Sequence, residues 1–204
     1  MDNFERVRER INGRAILVCV SKNRDVGDVN SLIDFGVLDI GENRVGEALG
    51  KFVGLVGNVK KHFIGRVQSN KVRKIVDNFD LVHSVDRLKI VRLIDFHAGE
   101  VGRIMPILVQ VNISREGSKG GVLPEDVESF LSEVLRFENV RVIGLMSIGS
   151  VGCRFEFREM KKLFDDFERK GFFMKILSMG TSEDFEMAIE EGSNMVRVGG
   201  RIFD

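Results

Sequence analysis

Apolar and polar positions alternate along the chain with two periods, one of two residues and one of about 3.6. Short apolar or β-branched runs predict strands at residues 15–22, 37–41, 62–65, 81–85, 106–113, 140–148, 175–179 and 195–199. Amphipathic stretches predict helices at about 2–12, 25–35, 43–56, 67–77, 86–97, 124–136, 154–170 and 182–191. Strict alternation of strands and helices favours an α/β fold with a parallel sheet closed into a single (β/α)8 TIM barrel. A doubly wound open sheet is the alternative.

Composition agrees with one globular domain over residues 1–204. The chain is 43% hydrophobic and 30% charged, and its length lies near the lower limit for such a barrel. Lys and Arg together number 31 and balance 31 Asp and Glu, so no net charge recruits nucleic acid or an anionic membrane. Because the chain shows no apolar leader, no membrane span and no C-x-x-C pair, we expect a cytoplasmic protein with Cys19 and Cys153 reduced. We also expect a monomer.

One charged residue ends the first apolar run. Lys22 follows Val18 and Val20 at the two-residue period of a strand, so it extends a row of side chains that should point into the core. Desolvation there would favour the neutral amine, which is the form that condenses with an aldehyde to give a Schiff base. The alternative is that Lys22 reaches solvent where the strand ends, because lysine is rarely fully buried.

Two glycine turns follow the seventh and eighth predicted strands, where barrels of this kind often bind phosphate. The first covers residues 178–184, in which a glycine allows close backbone approach and Thr181 or Ser182 can cap the next helix. The second contains Gly199 and Gly200. Each segment alone could be an ordinary turn, but both together predict an anion site formed by backbone N–H groups.

The remaining candidate groups are one arginine and three histidines. Arg197 can point across the end of the barrel and keep an aromatic ring nitrogen unprotonated, with a surface ion pair as the alternative. His62, His83 and His97 lack the spacing of metal ligands, so we interpret them as hydrogen-bonded structural residues and expect no metal site. The segment 46–52 is one residue short of a P-loop and lacks its Ser or Thr.

Several blocks of the sequence resemble the pyridoxal phosphate homeostasis protein family, the YggS/PROSC group, whose barrel is like the alanine racemase N-terminal domain. The blocks are Val18-Cys19-Val20-Ser21-Lys22, Ile40-Gly41-Glu42-Asn43, residues 62–71, His83-Ser84-Val85-Asp86, residues 111–113 with Ser118-Lys119-Gly120, Gly144-Leu145-Met146, residues 177–184 and Val196-Arg197-Val198-Gly199. They follow the family's order from residue 15 to the C-terminus. The strings H-F-I-G-x-x-Q-x-N-K and L-S-M-G-x-S-x-D are the most specific.

This resemblance implies a fold-type III barrel that binds pyridoxal 5′-phosphate (PLP) as a Schiff base on Lys22. It implies further cofactor contacts from Ser178, Thr181, Ser182, Gly199 and Gly200 around the phosphate, from Arg197 at the pyridine nitrogen, and from Asn43 and Met146 beside the ring. By the same resemblance Lys119 would be a second lysine near the site, with a part in loading or releasing PLP. The chain departs from the family at Gly46, at Gly200 and at residues 147–150, where glutamine, threonine and prolines are usual.

The resemblance leaves two classes of function open. One is a non-catalytic carrier that binds, buffers and hands on PLP, with PLP-dependent apo-enzymes as transient partners. The other is an amino-acid racemase or decarboxylase. Related racemases take a tyrosine base from an additional domain, and this chain contains no tyrosine. We therefore expect the carrier, with no catalytic residue; a phosphate-binding barrel enzyme without a cofactor is a third alternative.

Overall fold

The computed structural model describes residues 2–203, and its strands form a closed parallel barrel. The strands are β1 (Ile16–Val20), β2 (Asp39–Glu42), β3 (Lys60–Phe63), β4 (Leu81–Val85), β5 (Met105–Val111), β6 (Val140–Ser147), β7 (Ile176–Ser178) and β8 (Met195–Val198). The predicted (β/α)8 barrel is confirmed, and the open sheet is wrong because β8 pairs with β1. The expected domain 1–204 also includes Met1 and Asp204, which lie outside the described residues.

Helices follow the strands around the outside of the barrel. They are α1 (Asp2–Ile11), α2 (Val26–Asp34), α3 (Val45–Phe52), α4 (Val72–Asn78), α5 (Leu88–Glu100), α6 (Val127–Val134), α7 (Arg154–Arg169), α8 (Phe185–Glu190) and α9 (Gly200–Phe203). The short helix α9 is not predicted by the periodicity, because four residues are too few to show it. Within residues 2–203, no helix has both the length and the apolar character needed to cross a membrane.

The inward faces of the strands carry both the barrel core and the polar groups of interest. The apolar inward side chains are Val18, Leu81, Leu108, Met146, Ile176 and Met195. Residues two apart on a strand share a face, so His83, Ser178 and Arg197 point inward beside Leu81, Ile176 and Met195. The outward residues pack against the helices in two larger apolar clusters. The polar inward side chains therefore lie in the barrel interior, below the carboxyl ends of the strands.

Candidate functional site

Lys22 lies at the carboxyl end of β1, but it is not buried. The strand ends at Val20, and Lys22 is an exposed residue of the turn that follows. The prediction that Lys22 is buried is wrong, so desolvation does not favour its neutral amine. The alternative, that Lys22 reaches solvent where the strand ends, is confirmed. The turn still lies beside the loop after β8, since a Cβ atom on Gly199 would lie 3.0 Å from the carbonyl oxygen of Val20.

The residue before Lys22 is anchored by a buried ion pair. The Ser21 N–H donates to the carbonyl oxygen of Gly41 at 3.0 Å, which extends the pairing of β1 with β2. The Ser21 hydroxyl donates to Glu42 Oε1 at 2.6 Å. Lys51 Nζ, on α3, donates to the same carboxylate and to the carbonyl oxygen of Ser21. The ion pair thus fixes the start of the turn that carries Lys22.

This ion pair is not among the predicted features, although the sequence carries a signal for it. Lys51 belongs to the segment 46–52 that fails as a P-loop. It follows Val45 and Ala48 at the three-residue spacing of one helix face, and all three side chains are buried. A lysine at a core position of an amphipathic helix needs a buried partner. Glu42, with a side chain that is 0% exposed, is that partner.

We expect Lys51→Met to lower the free energy of unfolding by about 3–5 kcal/mol, because it leaves the Glu42 carboxylate buried without its cation. Urea denaturation measures the change. The control is Lys170→Met, since the ion pair of Lys170 with Glu128 is about half exposed and should contribute at most about 1 kcal/mol. Adding Glu42→Gln to Lys51→Met should recover part of the loss. Equally small effects of Lys51→Met and Lys170→Met would contradict a structural role for the buried pair.

Arg197 connects β6, β7 and β8 inside the barrel. Its Nη1 donates to Ser178 Oγ at 2.7 Å, and its Nη2 donates to the carbonyl oxygen of Ser147 at 2.9 Å. Met146, which is fully buried, precedes Ser147 and pairs in register with Ser178. Burial lowers the pKa of Arg197 to about 10, while Asp184 opposes this shift, so the guanidinium remains charged at neutral pH. The alternative, in which Arg197 forms an ion pair on the surface, is wrong because the residue is only 5% exposed.

The loops after β7 and β8 are joined by a hydrogen bond. The Gly199 N–H donates to Ser182 Oγ at 3.1 Å, and Gly200 begins α9. The N–H of Thr181 donates to Asp184 Oδ1 at 2.8 Å, and its hydroxyl donates to the same atom at 3.2 Å. The predicted cap from Thr181 or Ser182 is wrong, because α8 begins after Asp184 without a side-chain cap. The two hydroxyl groups instead order the loops that face each other.

Five buried side-chain polar atoms have no hydrogen-bond partner within residues 2–203, and three of them belong to the ion pairs that Glu42 and Asp86 form. The other two lie at the carboxyl ends of the strands, here called the barrel mouth. They are Asn43 Oδ1, directly after β2, and Ser147 Oγ, at the end of β6. Buried polar atoms in folded proteins nearly always have a partner, so these two atoms point to a polar ligand. Together with the Arg197 cation and the paired loops after β7 and β8, these atoms fit a ligand that has an aromatic ring and an anionic group.

Lys119 lies in the loop after β5, near the barrel mouth. Its Nζ donates to Glu116 Oε1 at 2.7 Å and lies 3.4 Å from Ser150 Oγ in the loop after β6. The hydrogen bond from Lys119 lowers the pKa of the Glu116 carboxyl below its ordinary value. In the part of the chain that the structure describes, no three His, Cys, Asp or Glu side chains are grouped as metal ligands.

The two histidines inside the barrel are hydrogen-bonded, as expected from the sequence. His62 Nε2 lies 2.9 Å from Asp39 Oδ1, and His62 Nδ1 lies 2.8 Å from His83 Nε2. His83 Nδ1 lies 3.2 Å from Ser178 Oγ. The third histidine, His97 on α5, lies outside the barrel next to a glutamate. The continuous chain that the two inner rings form was not predicted from the sequence.

The sequence matches a known family over almost its whole length. Residues 1–203 match the family described as alanine racemase, N-terminal domain. The pyridoxal phosphate homeostasis protein of Aquifex aeolicus is 36% identical, and the alignment covers 99% of this chain and 96% of that protein. The protein of the same name from Escherichia coli is 34% identical, with 98% of this chain and 94% of the relative covered.

Solved structures agree with this assignment. PipY of Synechococcus elongatus without PLP superposes with a TM-score of 0.94 at 30% identity and covers 100% of this chain and 99% of that chain. PipY with PLP bound gives a TM-score of 0.91 at 29% identity and also covers 100% of this chain and 99% of that chain. An alanine racemase of Clostridium difficile, at 16% identity and a TM-score of 0.81, covers 98% of this chain and 57% of that chain and so shows the fold alone. The chain therefore belongs to the alanine racemase N-terminal domain family and, within it, to the pyridoxal phosphate homeostasis proteins.

Proposed function

We propose that residues 1–204 act as one barrel domain that binds PLP and serves as an intracellular carrier and buffer, without substantial catalytic turnover. The observation that carries this proposal is the barrel mouth, where the partnerless atoms of Asn43 and Ser147 lie with a buried, charged Arg197. The names of the relatives and the PLP-bound PipY support it. The protein would be a cytoplasmic monomer, and its partners would be PLP and, transiently, PLP-dependent apo-enzymes.

Each part of the ligand has a group of residues assigned to it. When bound, PLP supplies an aldehyde that an amine can capture, and Lys22 provides that amine. Arg197 faces the ring nitrogen, and Asn43 and Met146 flank the ring. The phosphate is assigned to the two loops at the mouth, through Thr181, Ser182, Gly199 and Gly200. The Ser178 side chain faces inward, so it contributes through its hydrogen bond with Arg197 rather than at the phosphate.

The site contains what binding requires and lacks part of what turnover requires. Racemisation needs an acid or base on the face of the ring opposite the lysine, and the sequence has no tyrosine to act there. A cationic Arg197 at the ring nitrogen disfavours its protonation, which weakens the electron sink that carbanion chemistry needs. The relatives are likewise named homeostasis proteins rather than enzymes.

We expect the PLP-loaded protein to show no meaningful exchange of amino-acid α-protons into deuterated solvent. NMR measures the exchange beside a genuine PLP-dependent racemase at equal concentration. The same preparation should restore activity to a PLP-dependent apo-enzyme, which tests the carrier function directly. Wild-type exchange at the rate of the racemase, lost in Lys22→Ala, would overturn the carrier proposal in favour of the racemase. A protein that stays colourless with excess PLP would favour the barrel enzyme without a cofactor.

A further inference from the structure

A chain of hydrogen bonds crosses the barrel interior from the first residue of β2 to β8. It runs from Asp39 through His62 and His83 to Ser178 and Arg197, with successive distances of 2.9, 2.8, 3.2 and 2.7 Å. These residues lie on five different strands, β2, β3, β4, β7 and β8. His62, His83 and Ser178 are at most 2% exposed. Water therefore cannot satisfy the groups in the middle of the chain, which must satisfy one another.

One arrangement of protons satisfies every group. The guanidinium of Arg197 can only donate, so Ser178 Oγ accepts from it and its own hydrogen needs an acceptor. Within residues 2–203, the only other group hydrogen-bonded to Ser178 Oγ is His83 Nδ1, which must therefore accept. His83 then donates from Nε2 to His62 Nδ1, and His62 donates from Nε2 to the Asp39 carboxylate. Both rings are neutral in this arrangement, and all the hydrogen bonds run in one direction.

The competing arrangement places a second proton on His62. His62 would then donate to both neighbours, and His83 would donate from Nδ1 to Ser178. The Ser178 hydroxyl hydrogen would be left buried without an acceptor, which typically costs about 1–3 kcal/mol. Burial, followed by the influence of His62 and Arg197, holds the pKa of His83 well below its ordinary value, so His83 is neutral in either case.

Asp39 selects the same direction from the other end of the chain. An ionised carboxylate can only accept, so it selects the tautomer of His62 that carries its proton on Nε2. The Asp39 side chain is 13% exposed at the start of β2. The charge of Asp39 also acts on Cys19 of β1, whose pKa is raised to about 12 by burial first and by Asp39 second. Asp39 is therefore the terminal acceptor of the chain, at the end opposite Arg197.

We propose that Asp39, His62 and His83 are positioning residues for Arg197. They hold Ser178 as an acceptor toward the guanidinium, which fixes Arg197 between Ser178 Oγ and the carbonyl oxygen of Ser147. The functional part of this inference rests on the proposed function, in which Arg197 faces the ring nitrogen of PLP. A residue at the start of β2 then influences cofactor binding without touching the cofactor.

NMR of the imidazole nitrogens in the PLP-free protein tests the direction of the chain. The sequence contains three histidines, and His97, which is bonded to Glu100 on the outside of the barrel, serves as the internal reference. At neutral pH, His62 and His83 should each show a protonated Nε2 and an unprotonated Nδ1. A doubly protonated His62, or a proton on Nδ1 of either ring, would overturn the proposed direction. The measurement needs no variant and no PLP.

Asp39→Asn tests the positioning role, because an amide can donate as well as accept and so permits both directions. We expect mixed tautomers at His62 and His83 and a loss of PLP affinity of about tenfold. The matched control is Asp80→Asn. Asp80 lies just before β4, where its carboxylate accepts the N–H of Lys61 outside the chain. That control should keep the tautomers and change the affinity by less than about twofold.

The outcomes separate this inference from the proposed function. Asp39→Asn with wild-type tautomers and wild-type affinity would overturn the positioning role. A wild-type protein with the expected tautomers that binds no PLP would refute the proposed function and leave the chain itself intact. If Asp39→Asn does not fold, Ser178→Ala in the PLP-free state replaces it. That variant removes the donor to His83 Nδ1, so an unchanged His83 spectrum would overturn the assignment.

Discussion

Borohydride reduction of the PLP-loaded protein should fix a pyridoxyl group on Lys22, and Lys22→Ala should lose that adduct and most of the visible absorption. The reason is position, because Lys22 directly follows the anchored Ser21 at the start of the turn and lies two residues after Val20, which contacts Gly199. The turn that carries this amine lies beside the loop after β8, which is assigned to the phosphate, so the amine can reach an aldehyde bound there. Peptide mass spectrometry and absorbance measure the two effects.

Two other lysines near the mouth provide the controls. Lys119 is held by Glu116, and Lys71 ends the 3-10 turn before α4. Lys119→Ala and Lys71→Ala should both keep the adduct on Lys22 after reduction. A wild-type adduct found mainly on Lys71 or Lys119 would contradict the assignment of Lys22 and move the aldehyde to the opposite side of the mouth.

The fold is predictable from this sequence because its strands and helices differ in period and alternate without a break. The positions at which the strands end are less predictable, as the first strand illustrates. The two-residue period runs through Lys22, yet β1 ends at Val20. Asn23 adopts a φ of 59°, a left-handed conformation that asparagine tolerates, and it turns the chain out of the sheet. Turn chemistry therefore overrides periodicity at this point, and Lys22 becomes exposed.

The candidate site is predictable where its residues are neighbours in sequence and unpredictable where they meet only in the barrel. The loops after β7 and β8 are visible as glycine turns at known places in the fold. The contact of His83 with Ser178 joins residues 95 positions apart, on strands that are not adjacent. Strand periodicity gives the inward face of each residue, but it does not give the partner across the barrel. The ion pair of Glu42 with Lys51 is a different case, because its residues are nine positions apart and Lys51 at a core position of α3 is the signal for it.

Pyridoxal, which lacks the phosphate, should bind at least about 100-fold more weakly than PLP. Each hydrogen bond to a charged group contributes about 1.5–3 kcal/mol, so the loss of two such bonds to the dianion is enough for this effect. The loops that would supply them are joined by the hydrogen bond from the Gly199 N–H to Ser182 Oγ, so both sides of the phosphate site are already in place. Titration of the visible absorption band with each aldehyde measures the two affinities.

Ser182→Ala separates the phosphate site from the rest of the pocket. It should weaken PLP binding about tenfold while leaving pyridoxal binding nearly unchanged, because only the phosphate loses a donor and an ordered loop. Ser132→Ala is the control, since Ser132 is an exposed serine on α6 whose hydroxyl donates to the Glu128 carbonyl oxygen. Equal affinities of the wild-type protein for the two aldehydes would refute a phosphate site at these loops. An equal loss for both aldehydes in Ser182→Ala would place Ser182 at the ring rather than at the phosphate.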